Sequence, residues 1–101
     1  MILFNITIII EDSIDKQWLN WMNNEFIPSA MESNLIASNR LLKVLDSPNE
    51  GITYCLQFVI DNIDSYNQFK ASHLPLIMDN HAEQFSNRFV SFSTLMEFIN
   101  N

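Results

Sequence analysis

The sequence predicts one α+β domain, residues 1–101, in which strands and helices follow one another in the order βαββαβ. Three observations support this prediction. Two segments alternate apolar and polar side chains with the period of a β-strand. Two others repeat apolar residues every three or four positions, as amphipathic helices do. A turn-forming cluster at 47–51 separates two of the strands, and the chain length fits a single domain.

The composition excludes several classes of protein. The chain carries a net charge of −7 with only five Lys and Arg, so it has no basic surface for nucleic acid or anionic membranes. The single cysteine, Cys55, excludes an internal disulfide and a cysteine-based zinc site, and it fits a reducing compartment. Residues 1–10 lack the basic start and cleavage site of a signal peptide. No apolar stretch reaches the ~20 residues that a membrane helix needs. We therefore expect a cytoplasmic protein.

The first predicted strand is the most apolar part of the chain. Residues 2–10 are rich in β-branched side chains, which favour strands. Its two faces differ: one is entirely apolar, formed by Ile2, Phe4, Ile6, Ile8 and Ile10, and the other is mixed, formed by Leu3, Asn5, Thr7 and Ile9.

The first helix is predicted from about Ile14 to Met31. Its apolar stripe contains Trp18 and Phe26. Because a proline inside a helix removes a hydrogen bond, Pro28 is expected to kink or end the regular helix near Ile27.

A hairpin follows the first helix. Leu35–Asp46 is predicted as the second strand and Ile52–Ile60 as the third, with Gly51 supplying a positive φ in the turn between them. The third strand again has two unlike faces: one carries Tyr54, Leu56, Phe58 and Ile60, and the other carries Thr53, Cys55, Gln57 and Val59.

The last third of the chain completes the order of elements. Asp61 or Asn62 caps a short helix, and Pro75 begins its continuation. Arg88–Ile99 is predicted as the final strand. This order predicts a ferredoxin-like fold, with both helices on one face of a four-stranded antiparallel sheet.

The second face of that sheet predicts a homodimer. Helices on one side leave the face of Leu3, Ile9 and Cys55 uncovered, and it is more apolar than ordinary wet surface. It also carries Asn5 and Gln57, so it is too polar for a dry core. Two copies stacked face to face would bury a standard interface and leave a semi-polar cavity for a small apolar or aromatic ligand.

The whole chain also resembles a known family. The stretches that carry the resemblance are Trp18 to Met22, the Phe-Ile-Pro ending at Pro28, the Gly-Ile-Thr-Tyr opening at Gly51, and Asn80-His81 through Phe85 to Phe89–Phe92 and Thr94. Through them the chain, from 2 to 98, is similar to a family of short domains of unknown function in the dimeric α/β-barrel superfamily. The resemblance implies the fold and a dimer but no reaction. Two positions depart from the family pattern: Phe26 replaces a His, and Ser93 replaces an Arg.

Few side chains suggest chemistry. His81 lies on the apolar stripe of the second helical region, where a neutral imidazole could act as a general base or pack in the core. Trp18 could line an aromatic pocket or belong to the core. Asn5, Gln57 and Tyr54 could hydrogen-bond a ligand, or bond across the dimer. No metal-ligand spacing or cofactor motif occurs, so we expect neither a metal nor a cofactor.

Three functions remain open from the sequence. The favoured hypothesis is a non-enzymatic dimer that binds a small molecule or a protein partner at the cavity beside its sheet. The second is a cofactor-independent enzyme of the monooxygenase type found in the wider superfamily, which requires His81 to face an accessible cavity. The third is a purely structural self-association module.

Overall fold

The computed structural model describes residues 1–100 and contains one antiparallel sheet of four strands in the order β2-β3-β1-β4. The helices pack on one face of this sheet, as the ferredoxin-like prediction requires. The strands are β1 (Ile2–Ile10), β2 (Ser38–Lys43), β3 (Ile52–Ile60) and β4 (Phe89–Glu97).

Strand β1 lies in the middle of the sheet and pairs along its whole length on both sides. Its ladder with β3 runs from Ile2 opposite Ile60 to Ile10 opposite Ile52. Its ladder with β4 begins with Ile2 opposite Glu97. A strand covered by two neighbours and a helical layer favours β-branched apolar side chains, which explains the run of isoleucines.

The first helical region is interrupted earlier than predicted. It consists of α1 (Asp15–Trp21), a π-helical turn (Met22–Phe26) and α2 (Ile27–Met31). Pro28 does not end the helix, because it lies in the first turn of α2, where a missing N–H costs little. The irregularity falls in the turn before it.

The second helical region agrees with the prediction. It consists of α3 (Ile63–Ser72) and α4 (Leu74–Gln84). The side chain of Asn62 accepts a hydrogen bond from the backbone N–H of Ser65 and so caps α3. Pro75 lies in the first turn of α4.

The second and fourth strands are shorter than predicted. Strand β2 ends at Lys43, although Ala37 and Val44 on either side still donate backbone hydrogen bonds to β3. Alternation continues in the sequence beyond the paired residues, so the pattern alone overestimates the strand. Gly51 has the predicted positive φ, +87°, and a side chain there would collide with the carbonyl of Ile10.

The core lies between the sheet and the helices. The apolar faces of β1 and β3 pack against the buried sides of both helical regions. No helix within residues 1–100 is long and apolar enough to cross a membrane. The largest fully buried side chains include Trp18, Phe26, Phe58, Phe69, Phe85 and Leu56.

Candidate functional site

The five candidate residues lie on opposite sides of the sheet. His81, Trp18 and Tyr54 are packed between the helices and the sheet. Asn5 and Gln57 face the other side, opposite each other on β1 and β3. The structure therefore brings the candidates together as two groups, separated by the backbone of the sheet.

His81 is enclosed by aromatic rings. Its side chain is 1% exposed, and its Nε2 accepts a hydrogen bond of 2.9 Å from the indole N–H of Trp18. Burial lowers the pKa of His81 from 6.5 to about 4, so the ring is neutral at pH 7. Its proton then resides on Nδ1, which has no hydrogen-bond partner among the described residues. The surrounding rings are those of Trp21, Phe26, Phe85 and Phe89.

These contacts do not give His81 the surroundings that a general base needs. Its acceptor nitrogen is already used by Trp18, and no solvent reaches the ring. The ring of Phe26 lies directly beside that of His81, with centroids 5.9 Å apart.

Tyr54 and Trp18 connect the sheet to the first helix. Their rings stack with centroids 4.7 Å apart and planes inclined by 24°. The hydroxyl of Tyr54 donates to the carboxylate of Asp15 at the start of α1. Burial raises the pKa of Tyr54 above its usual value, and the hydrogen bond and negative charge of Asp15 raise it further. The group thus ties β3, α1 and α4 together.

The second group lies on the surface that we call the open face, the side of the sheet directed away from the helices. The chain contains 12 Asp and Glu, but none of them belongs to the open face. The only charged side chain among the residues of this face is that of Arg40. Its members, from the strand registers, are Ser38, Arg40, Leu42, Thr53, Cys55, Gln57, Val59, Leu3, Asn5, Thr7, Ile9, Val90, Phe92, Thr94 and Met96.

The open face exposes large apolar side chains. Phe92 is 59% exposed and Val90 is 61% exposed, and both belong to the edge strand β4. Met96 on β4 and Leu42 on β2 are also exposed. Exposed apolar groups on both edge strands therefore flank the polar centre of the face.

A line of polar side chains crosses the middle of the open face. Arg40 lies opposite Gln57, Gln57 opposite Asn5, and Asn5 opposite Thr94. We call these four residues the polar row. Asn5 is only 7% exposed and its Nδ2 donates to Thr7 Oγ1 at 3.0 Å, while its Oδ1 is buried without a partner.

Two of the surface grooves contain none of the five candidate residues. One, of about 610 Å³, is found where β1, β3 and β4 end near Gly51, beside an exposed 3.0 Å ion pair between Arg88 and Glu11. The other, of about 220 Å³, lies between α4 and β4. The sequence analysis did not predict the second groove. Ser91 and Ser93 could have indicated it, because they place small side chains on the helix-facing side of β4. No group of three or more metal-binding side chains occurs within residues 1–100.

The fold and its two faces define a ferredoxin-like α+β domain, and solved structures of this class superpose on it. HapK from Hahella chejuensis has a TM-score of 0.73 at 10% identity, with 100% of this chain and 95% of that chain covered. SnoaB, a cofactor-independent oxygenase from Streptomyces nogalater, has 0.72 at 14% identity, covering 99% and 94%. A dimeric ferredoxin-like protein from an uncultured marine organism has 0.74 at 9% identity, covering 99% and 95%.

The sequence places the chain within one family. Residues 1–99 match the model of the domain of unknown function DUF4286, and the chain belongs to that family. No curated protein matches it. At identities of 14% and below, the similarity to SnoaB and the other solved structures extends to the fold alone.

Proposed function

We propose that the chain forms a homodimer through its open face and that the dimer binds a small apolar or aromatic molecule beside the sheet. The observation that carries this proposal is the combination of exposed apolar side chains with the absence of carboxylates on that face. Neither feature is typical of the wet surface of an acidic monomer.

The size of the face is adequate for a dimer. Three strands of nine residues and one of six, spaced about 4.8 Å apart, give a flat area of roughly 500 Å². A standard interface buries about 800 Å² on each partner, so the face and the side chains at its rim are sufficient. Between two stacked faces, the polar row would border a semi-polar space that we call the chamber.

The distribution of charge also supports self-association. Two copies that each carry a net charge of −7 repel each other at long range. A face without Asp or Glu is where they can approach most closely. A two-fold axis brings the same face of each copy together, so the partner's face is equally free of carboxylates.

Light scattering coupled to size-exclusion chromatography tests the dimer. The molar mass measured for the wild-type peak is expected to be twice that of one chain. Phe92→Glu places a carboxylate on the open face and is expected to give a monomer. Leu76→Glu is the matched control, because Leu76 is 65% exposed on α4, away from that face. A monomeric wild type, or equal effects of the two variants, would contradict the proposal.

A thermal-shift screen with aromatic and apolar metabolites tests ligand binding. A saturable rise in melting temperature is expected in wild type and not in Phe92→Glu, because only the dimer has the chamber. A stable dimer without any ligand response would instead support a purely structural module.

The enzymatic alternative has less support. It depends on His81 as a proton acceptor next to an open cavity, and the side chain is buried and already bonded to Trp18. The cofactor-independent oxygenase among the structural neighbours shares the fold at 14% identity. We therefore propose binding, with His81 in a structural role.

A further inference from the structure

We infer that β4 pairs through its free edge with β4 of a second copy of this chain, so that two four-stranded sheets join into one sheet of eight strands. The edge lies at the side of the sheet, so this contact is distinct from the open face and does not depend on the proposed dimer. A chain can form both contacts at once, and two open-face dimers joined by their edges make a tetramer.

The edge of β4 carries unpaired backbone groups. At the two ends of its ladder with β1, Glu11 donates its backbone N–H to the carbonyl of Arg88, and Phe98 donates to the carbonyl of Met1. Because bonded and non-bonded pairs alternate along an antiparallel ladder, even-numbered residues of β4 bond to β1 and odd-numbered ones direct their N–H and C=O away from it. Within residues 1–100, no other backbone group bonds to these outward groups, which belong to Phe89, Ser91, Ser93, Leu95 and Glu97.

The two edges of the sheet differ in their protection against pairing. Strand β2 is six residues long and carries Arg40 and Lys43, and a short strand with positive charges resists edge pairing. Strand β4 is nine residues long, has no proline or basic residue, and carries its only charge on Glu97 at its end. It exposes apolar side chains on both faces, Phe92 on one and Leu95 on the other. A long apolar edge of this kind is a template for another strand.

The sequence of β4 fits a second copy of itself. Two antiparallel copies related by a two-fold axis overlap fully when the middle residue, Ser93, lies opposite Ser93 of the other copy. Because Ser93 is outward-directed, this register pairs all the free groups of the two edges in about ten hydrogen bonds. Glu97 then lies opposite Phe89 of the second copy, about 27 Å from the other Glu97. Such a pair closes on itself, whereas β4 against β2 of the next copy would extend without limit.

The groove between α4 and β4 offers this pair a place for a side chain. It has a volume of about 220 Å³, Phe4 and Ile6 line it from β1, and Ser91 and Ser93 line it from β4. In the register centred on Ser93, Leu95 of the second copy lies opposite Ser91 on the helix-facing side. Leu95 is 41% exposed in the single chain. Its side chain can reach past the small serines into the apolar groove, and the two-fold axis repeats this contact.

The edge contact is smaller than the open face. A nine-residue edge is about 30 Å long and a sheet is about 10 Å thick, which gives roughly 300 Å² on each copy. Interfaces of this size are weak, so they form at high protein concentration. We expect open-face dimers at micromolar concentrations and tetramers as the concentration approaches the millimolar range.

Sedimentation equilibrium from about 10 μM to about 1 mM tests the edge contact. The molar mass of wild type is expected to rise from that of two chains toward that of four. Ser93→Pro removes an outward N–H and leaves the bonds to β1 in place, so its mass should remain that of two chains. Asn39→Pro is the matched control, because it removes an outward N–H from the exposed edge of β2, and it should associate as wild type does.

A second pair of variants avoids proline. Ser93→Lys places two like charges opposite each other at the centre of the pair, so it should also remain at the mass of two chains. Ser86→Lys, at an exposed position before β4, is its control and should associate as wild type does.

Amide hydrogen exchange, measured on wild type by NMR, gives a residue-level readout. At low concentration the N–H groups of Phe92 and Thr94, which bond to β1, should exchange slowly, and those of Ser91, Ser93 and Leu95 should exchange fast. At high concentration the second set should also become protected.

The outcomes separate this inference from the proposed dimer. A mass that stays at two chains throughout, equal rises in wild type and Ser93→Pro, or fast exchange of Ser91 and Leu95 at every concentration refutes the edge contact and leaves the open-face dimer standing. A wild type that rises from one chain to two, with Ser93→Pro remaining at one, refutes the open-face dimer and supports the edge contact.

Discussion

The contact between Trp18 and His81 depends on the protonation state of the imidazole. The indole N–H donates to Nε2, and only a neutral ring has a lone pair there to accept it. A protonated ring would lose this hydrogen bond and place a charge among aromatic side chains. The folded chain therefore favours the neutral form.

This preference predicts a loss of stability in mild acid. The pKa of His81 is about 4 in the folded chain and 6.5 in the unfolded one, so between these values only the unfolded chain binds the proton. As the pH falls from 6.5 to 4, the free energy of unfolding should decrease by up to about 3 kcal/mol from this residue.

Urea unfolding at pH 7 and pH 4.5 measures this loss. His81→Gln keeps an acceptor for the indole N–H but does not titrate, so its stability should fall less than that of wild type over the same interval. Parallel losses in the two proteins would refute the linkage to His81.

Two tyrosines allow a matched test of the bond to Asp15. Tyr54→Phe removes a hydroxyl that donates to a carboxylate, and the expected cost is about 1–2 kcal/mol of unfolding free energy. Tyr66→Phe removes a hydroxyl from another buried tyrosine on α3 and should cost less. Denaturant unfolding compares the two, and equal costs would argue against a stabilising bond to Asp15.

At the level of the elements, periodicity predicted the strands that bury one face, and it missed the π-helical turn. The alternation of β1 and β3 identified both strands with their correct bounds, because one face of each is buried. The stripe of the first helix remains apolar through Met22–Phe26, since a π-helical turn changes the hydrogen bonds without removing the buried side. The prediction from Pro28 therefore placed the irregularity near Ile27, whereas it lies at Met22–Phe26.

The turn before β3 should tolerate only glycine. At φ +87° an alanine is strained, and its Cβ would meet the backbone carbonyl of Ile10, which cannot move without disturbing β1. Gly51→Ala should reduce the free energy of unfolding by about 2 kcal/mol or more. Glu50→Ala, at the exposed neighbouring position, should change it by about 0.5 kcal/mol or less. Chemical denaturation of both variants gives the comparison, and a Gly51→Ala variant as stable as wild type would exclude the clash.

At the scale of the whole molecule, the proposed dimer predicts an effect of Arg40 on self-association. In a ligand-free dimer, Arg40 would lose hydration without gaining a partner. Arg40→Gln should therefore lower the dissociation constant of the ligand-free dimer by several-fold, as measured by sedimentation equilibrium. The control Arg88→Gln should leave this constant unchanged. Weaker association of Arg40→Gln would show that Arg40 already has a partner in the dimer.

The sequence predicted which face each candidate residue occupies but not which residues meet. Strand parity placed Asn5 and Gln57 together and Tyr54 on the opposite face. The bond between Trp18 and His81 joins residues 63 positions apart, and no local pattern encodes such a pairing. The polar row depends on the registers of three ladders, which alternation within single strands does not specify.

The pairing of β1 with β4 has a consequence for how the protein is made. Residue 2 is opposite residue 97, so the central strand is synthesised before the other three strands, and its pairing with β4 must await residue 97. Until then a stretch of nine residues, rich in isoleucine, has at least one free edge. The free edge of β1 is therefore the strand edge that chaperones could bind for the longest time during synthesis. The four-stranded sheet can form completely only after residue 97 has been translated.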